Sequence, residues 1–193
     1  SPLWSAAEQA LYWVDIEGRL IRRYEWGTRR LRSWALPERI GSIALRTEGG
    51  LLAAMETGLF HVRLPEGPGA ELEQLQRVHF PREAMRSSDR RCDRWGRFWV
   101  SSMVRDMSLA APDGALFRYD GRGLSEPIVP SLITGNGLAF SPDGHTLYLS
   151  DSHPTVQRIW AFDLDLEGEL TRRREFVDMN QHPGRPDGAA ADA

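Results

Sequence analysis

A pair of short strand patterns recurs four times along the 193 residues, and this repeat restricts the fold more than any other feature of the sequence. The first member reads ALYWVD (10–15), GLLAAM (50–55), RFWVSS (97–102) and TLYLSD (146–151). The second follows as RLIRRY (19–24), GLFHVR (58–63), ALFRYD (115–120) and RIWAFD (158–163). Each is an alternation of aromatic or β-branched residues with polar ones, which suits a half-buried pleated face. Glycine turns separate the members, at Glu17-Gly18, Thr57-Gly58 and Asp113-Gly114 before second strands and at Trp95-Gly96 and Asp143-Gly144 before first strands. Starts at 10, 50, 97 and 146 give a period that fits propeller blades. A solenoid of helix pairs fails, because no stretch of ten residues sustains a 3.6 period and Gly and Pro interrupt every longer one.

A third strand can be placed before each pair, at SIAL (42–45), SDRRCD (88–93), GLAF (137–140) and DGAAAD (187–192). With the segments between units this gives up to four strands per unit, and the reading is all-β, a β-propeller of four-stranded antiparallel blades. Blades are expected at 1–39, 40–86, 87–133 and 134–185 in a single partial domain, with 186–193 opening a fifth. Trp13, Trp99 and Trp160 are expected to fill the space between blades.

Composition narrows the function classes. Lys and Arg number 24 against 27 Asp and Glu, and no basic block stands out, so a nucleic-acid partner is not expected. No apolar run reaches the roughly 18 residues of a spanning helix, so no membrane partner is expected and the chain reads as soluble. Cys92, the single cysteine, excludes an internal disulfide and any multi-thiolate metal site, fits a cytoplasmic location, and is read as a buried, inert thiol. The five histidines lack metal-binding spacing, and Ser101-Ser102 lacks a nucleophile elbow.

Four strings, SPLWSAAEQALYWVDI, CDRWGRFWVSSM, GNGLAFSPDGHTLYLSDS and GRPDGAAADA, together resemble the senescence marker protein/regucalcin/gluconolactonase family in order and spacing across essentially the whole chain. The resemblance implies a six-bladed propeller, about four blades of which are present, and a metal-dependent hydrolase that opens a sugar lactone or related small ester. It implies one divalent cation, Ca, Mn, Zn or Mg, held by an Asn, an Asp and a Glu. The Asn falls on Asn136 of Asn136-Gly137-Leu138, and the Asp on Asp187 of Pro186-Asp187-Gly188. The Glu precedes the Ser-Pro-x-Trp motif, which here is Ser1-Pro2-Leu3-Trp4, so the 193 residues by themselves are expected to bind metal poorly and to hydrolyse lactones negligibly. Substrate contacts fall on Arg86, on Ser88 in place of the family's Asn, and on Asp106; Arg90 stands where the family has Gly.

Lactone hydrolysis needs a polarised carbonyl, a deprotonated water and a stabilised oxyanion. One hard cation on oxygen ligands such as Asn136 and Asp187 serves the first and third needs. Asp187 is also the candidate general base, Arg86 a fork of donors for sugar hydroxyls, and Asp106 an acceptor for them. By residue type alone, Asn136-Gly137 and Pro186-Asp187-Gly188 are turn sequences and Arg86 belongs to a charged loop; only the family register lifts them above that. The altered Ser88 and Arg90 favour the alternative, a non-catalytic propeller scaffold with a structural or absent metal.

Overall fold

The computed structural model describes residues 2–67 and 69–192, so Ser1 of the Ser-Pro-x-Trp motif lies outside the described residues. The chain forms two compact units, 1–80 and 81–193. Unit one holds two antiparallel sheets. The first runs in the order β1 (Leu3–Ser5), β2 (Ala10–Asp15), β3 (Leu20–Glu25), β4 (Arg30–Ala35); the second runs β5 (Ile40–Leu45), β6 (Leu51–Met55), β7 (Gly58–Arg63), β8 (Glu71–Arg77). Their facing sides bury Ala10, Tyr12, Ile21, Ile40, Ile43, Leu51 and Val62 in one core.

Unit two repeats the pattern. One sheet is β9 (Met85–Cys92), β10 (Phe98–Val104), β11 (Gly114–Tyr119) and β12 (Val129–Leu132), with β9 at one edge; the other is β13 (Gly135–Phe140), β14 (Thr146–Asp151), β15 (Arg158–Leu164) and β16 (Leu170–Asp178), with β13 at its edge. Trp99, Leu116, Leu132, Leu138, Leu147, Leu149 and Phe162 form the core of this unit. Trp99 is fully buried, whereas Trp13 and Trp160 are only partly so. Two single 3-10 turns, Met107–Leu109 and Met179–Gln181, are the only helical segments among the described residues.

Three details differ from the reading of the sequence. DGAAAD forms no strand; residues 182–192 run without strand structure. Alanine has little β propensity, and a short Ala-rich segment offers few side chains to hold a pleated face. Cys92 is exposed, at the end of β9, not buried. The glycines before second strands also act through space more than through φ. At Gly18 the left-handed residue is the next one, Arg19 (φ 53°). At Gly114 a Cβ would lie 2.3 Å from the Ser102 carbonyl oxygen and 2.7 Å from that of Leu132. Gly114 thus lets β11 pass between two backbones where any side chain would collide.

Candidate functional site

The candidate residues lie in unit two, on the edge strands β9 and β13 and the segment after β16. Asn136 sits in a bulge of β13, where the pairing with β14 shifts register between Asn136 and Ala139. Gly137 takes φ +58°, and a Cβ on it would fall 2.5 Å from Ser150 Oγ and 2.8 Å from the Asp187 carbonyl oxygen. Only glycine lets the chain turn there while the 187 backbone lies against it. The bulge turns the Asn136 side chain toward Asp187, and Asn136 Nδ2 donates to Asp187 Oδ1 at 2.8 Å across 51 positions of sequence. Asn136 Oδ1 accepts from the Gly137 amide at 3.0 Å. Asp187 is exposed and follows the buried Pro186, which anchors its segment. A cavity of about 320 Å³ opens beside the pair, lined among others by Gly137, Tyr148, Ser150, Phe176 and Asp187.

β9 is bulged as well. Val100 pairs with Arg90 and Ser102 with Ser87, so Ser88 and Asp89 share the place opposite Ser101. Asp89 reaches the neighbouring strand, where its Oδ2 accepts from the Leu138 amide at 3.0 Å. Ser101 Oγ lies within hydrogen-bond distance of the carbonyls of Asp89 (3.1 Å) and Gly135 (2.9 Å), which share its one proton. Ser88 is buried within the bulge, and Arg86 is half-buried, with Nη1 donating to the Ser87 carbonyl at 2.9 Å. Asp106 lies just after β10. It caps the first 3-10 turn, its Oδ1 accepting from the Ser108 hydroxyl at 2.6 Å and amide at 2.9 Å, and these two bonds hold its carboxyl below the usual range.

Arg90 does not take positive φ, so its side chain is accommodated without backbone strain. It is 6% exposed, its Nε and Nη2 have no hydrogen-bond partner, and burial lowers its pKa. Burying guanidinium nitrogens without partners costs free energy that an apolar side chain of similar length does not. Arg90→Met is therefore expected to leave the fold intact and raise its stability by about 1–3 kcal/mol, measured by urea unfolding.

A hard divalent cation fits the donors at Asn136. A carboxamide and a carboxylate, both oxygen donors, already meet there, and turning the amide over would set its oxygen beside Asp187 Oδ1, an arrangement that a cation between them stabilises. Among the described residues no group of three or more His, Cys, Asp or Glu is assembled; the amide of Asn136 and the carboxylate of Asp187 offer oxygen donors, the kind that suit Ca²⁺, Mg²⁺ or Mn²⁺. Two residues that sequence reasoning missed stand beside this pair. Asp151, at the end of β14, is 1% exposed and accepts from three backbone amides: Ile133 (2.7 Å), Thr134 (3.0 Å) and His153 (3.0 Å). Asp89, in the bulge of β9, accepts the Leu138 amide.

Comparison with known proteins agrees with this architecture. The description SMP-30/Gluconolactonase/LRE-like region fits residues 1–193. The chain is 34% identical to 6-deoxy-6-sulfogluconolactonase of Pseudomonas putida, over all of this chain and 64% of that protein. It is 30% identical to L-arabinolactonase of Azospirillum brasilense, over 98% of this chain and 62% of that one. It therefore spans just under two thirds of the length of these relatives. Among solved structures it superposes on a luciferin-regenerating enzyme with a TM-score of 0.90 at 22% identity, covering 100% of this chain and 65% of that one. On the calcium-binding protein regucalcin from Agrobacterium tumefaciens the TM-score is 0.88 at 24% identity, covering 100% and 63%. Sheets of four antiparallel strands, repeated four times, are the blades of a β-propeller, and the chain belongs to the SMP-30/gluconolactonase/LRE-like family.

Proposed function

We propose that the whole protein hydrolyses a sugar lactone with the help of one divalent cation at Asn136 and Asp187. The observation that carries this reading is the 2.8 Å contact between those two side chains, 51 positions apart, at the family's metal positions. Relatives named for lactonase activity on a sulfogluconolactone and an arabinolactone support the substrate class. When bound, the cation supplies the positive charge that polarises the lactone carbonyl and lowers the pKa of nearby water. Asp187 accepts the water's proton as the new C–O bond forms at the carbonyl carbon. The ring C–O bond then breaks, the proton passes to the departing ring oxygen, and a hydroxy acid is released. Arg86 and Ser88 hold sugar hydroxyls, and Asp106 turns an acceptor oxygen to them. The single, exposed Cys92 accords with a reducing, cytoplasmic setting.

The buried Arg90 in a glycine position favours a second reading, a propeller that binds without catalysis. Aldonolactones incubated with the whole protein separate the two. Proton release should exceed the spontaneous rate with Mn²⁺, Ca²⁺ or Mg²⁺ and fall to that rate with chelator. A rate equal to the spontaneous one under all of these metals would establish the scaffold.

A further inference from the structure

A bulge and the connection that leads into it leave backbone groups without ladder partners, and here two carboxylates take them up, Asp151 in the connection before β13 and Asp89 in the bulge that presents Asn136. On its N-terminal side, Asp151 accepts the amides of Ile133 and Thr134, while Ser152 returns its amide to the Thr134 carbonyl at 3.0 Å. On its C-terminal side, Asp89 accepts the Leu138 amide at 3.0 Å. Between them Ser101 Oγ donates to the Gly135 carbonyl, and a Cβ on Gly135 would meet Ser101 Cβ at 2.7 Å. Every residue from Ile133 to Leu138 is thus tied to a neighbour, and the one side chain turned to Asp187 is Asn136.

We propose that Asp151 and Asp89 are positioning residues that clamp the 133–138 segment and so fix where Asn136 presents its amide to the cation. The consequence for metal binding rests on the function proposed above; the consequence for Asn136 itself does not. Asp151 has no other task in view. Its carboxylate is 1% exposed, cut off from solvent and substrate, and its three donors are all main-chain amides, two of them 17 and 18 residues away. An ionised carboxylate spans such donors with both oxygens; an amide of the same size offers one.

The test uses the whole protein with Asp151→Asn, Asp89→Asn, Asn136→Ala and, as a control for lost stability, Leu147→Ala. Leu147 lies in the core of the same sheet, fully buried and outside the clamp. Calorimetric titration with Mn²⁺ should show Kd raised about ten-fold or more by Asp151→Asn and by Asp89→Asn. Leu147→Ala, with an equal or larger fall in Tm, should move Kd by less than about three-fold. Independently of metal, the side-chain amide NMR signals of Asn136, assigned by their loss in Asn136→Ala, should shift and broaden in both clamp variants and stay in place in Leu147→Ala. If Asp151→Asn does not fold, Asp89→Asn decides alone, since it acts at the other end of the segment. Unchanged Asn136 signals in the clamp variants, or Mn²⁺ affinity that follows Tm alone across all variants, would overturn the clamp. Mn²⁺ affinity untouched by Asn136→Ala would instead overturn the metal reading, while the NMR signals would still decide the clamp.

Discussion

Replacing Asp187 by Ala in the whole protein is expected to lower kcat/KM for lactone hydrolysis by about 10²–10⁴-fold, the range for losing a proton acceptor in the transition state. Two effects combine at this residue. The carboxylate is the sole formal charge in the Asn136–Asp187 pair, so its loss weakens attraction for a divalent cation, and it is the group placed to take the proton from water. Asp187→Asn separates them, because an amide keeps an oxygen ligand but takes no proton at neutral pH. It should recover part of the Mn²⁺ affinity and little of kcat. Asn136→Ala removes an oxygen donor and the partner of Asp187, and should raise the Mn²⁺ Kd by about ten-fold or more while costing kcat less than Asp187→Ala does. Steady-state kinetics across metal concentrations distinguishes these patterns. Equal kcat in Asp187→Asn and the unmodified protein would remove Asp187 from the proton transfer.

The largest effect on stability is expected at Asp93, far from any part in catalysis. Its side chain is 1% exposed and receives four donors: Oδ1 accepts the amides of Trp95 and Arg97 at 3.0 Å, and Oδ2 accepts Arg97 Nε at 2.5 Å and Trp99 Nε1 at 2.9 Å. Trp99 is the largest side chain in the core of its unit, and Arg97, itself 11% exposed at the side chain, continues to the Leu166 carbonyl at 2.8 Å. Asp93→Ala takes the acceptor from all four donors and the counter-charge from the Arg97 guanidinium, and is expected to cost about 3–5 kcal/mol, a fall in Tm of about 10 °C or more. The exposed pair of Arg172 with Asp163 gives the contrast. Arg172 is 81% exposed at its side chain, and Arg172→Ala should change stability by less than about 0.5 kcal/mol. Thermal unfolding of both variants checks this, and comparable losses would mean that burial does not set the strength of these ion pairs.

The inner strands were legible because burial writes itself into the alternation of residues. ALYWVD, GLFHVR and TLYLSD match β2, β7 and β14 residue for residue. The outer strands carry no such mark. β8 (ELEQLQR) and β16 (LTRRREFVD) bury no residue fully, and charges replace apolar alternation there, as suits a sheet edge kept from pairing with another chain. They were read only as segments between units. In the site, Asn136-Gly137 and Pro186-Asp187-Gly188 are ordinary turn strings, and nothing in the local chain says that a bulge joins them across 51 positions. The family register singled them out. Asp151 escaped because its partners are main-chain amides at 133 and 134, which have no side-chain signature. The cap that Asp106 makes on Ser108 follows from Asp-x-Ser at the start of a turn, a local pattern that was open to inspection.

A cation at Asn136 and Asp187 is the centre of the account, and a crystal of the whole protein grown with Mn²⁺, with diffraction recorded at the manganese absorption edge, tests it most directly. One strong anomalous peak is expected in unit two, within about 2.6 Å of Asn136 Oδ1 and an Asp187 carboxylate oxygen, and it should disappear in Asp187→Ala. A peak held by other residues, or one that persists in Asp187→Ala, would contradict it.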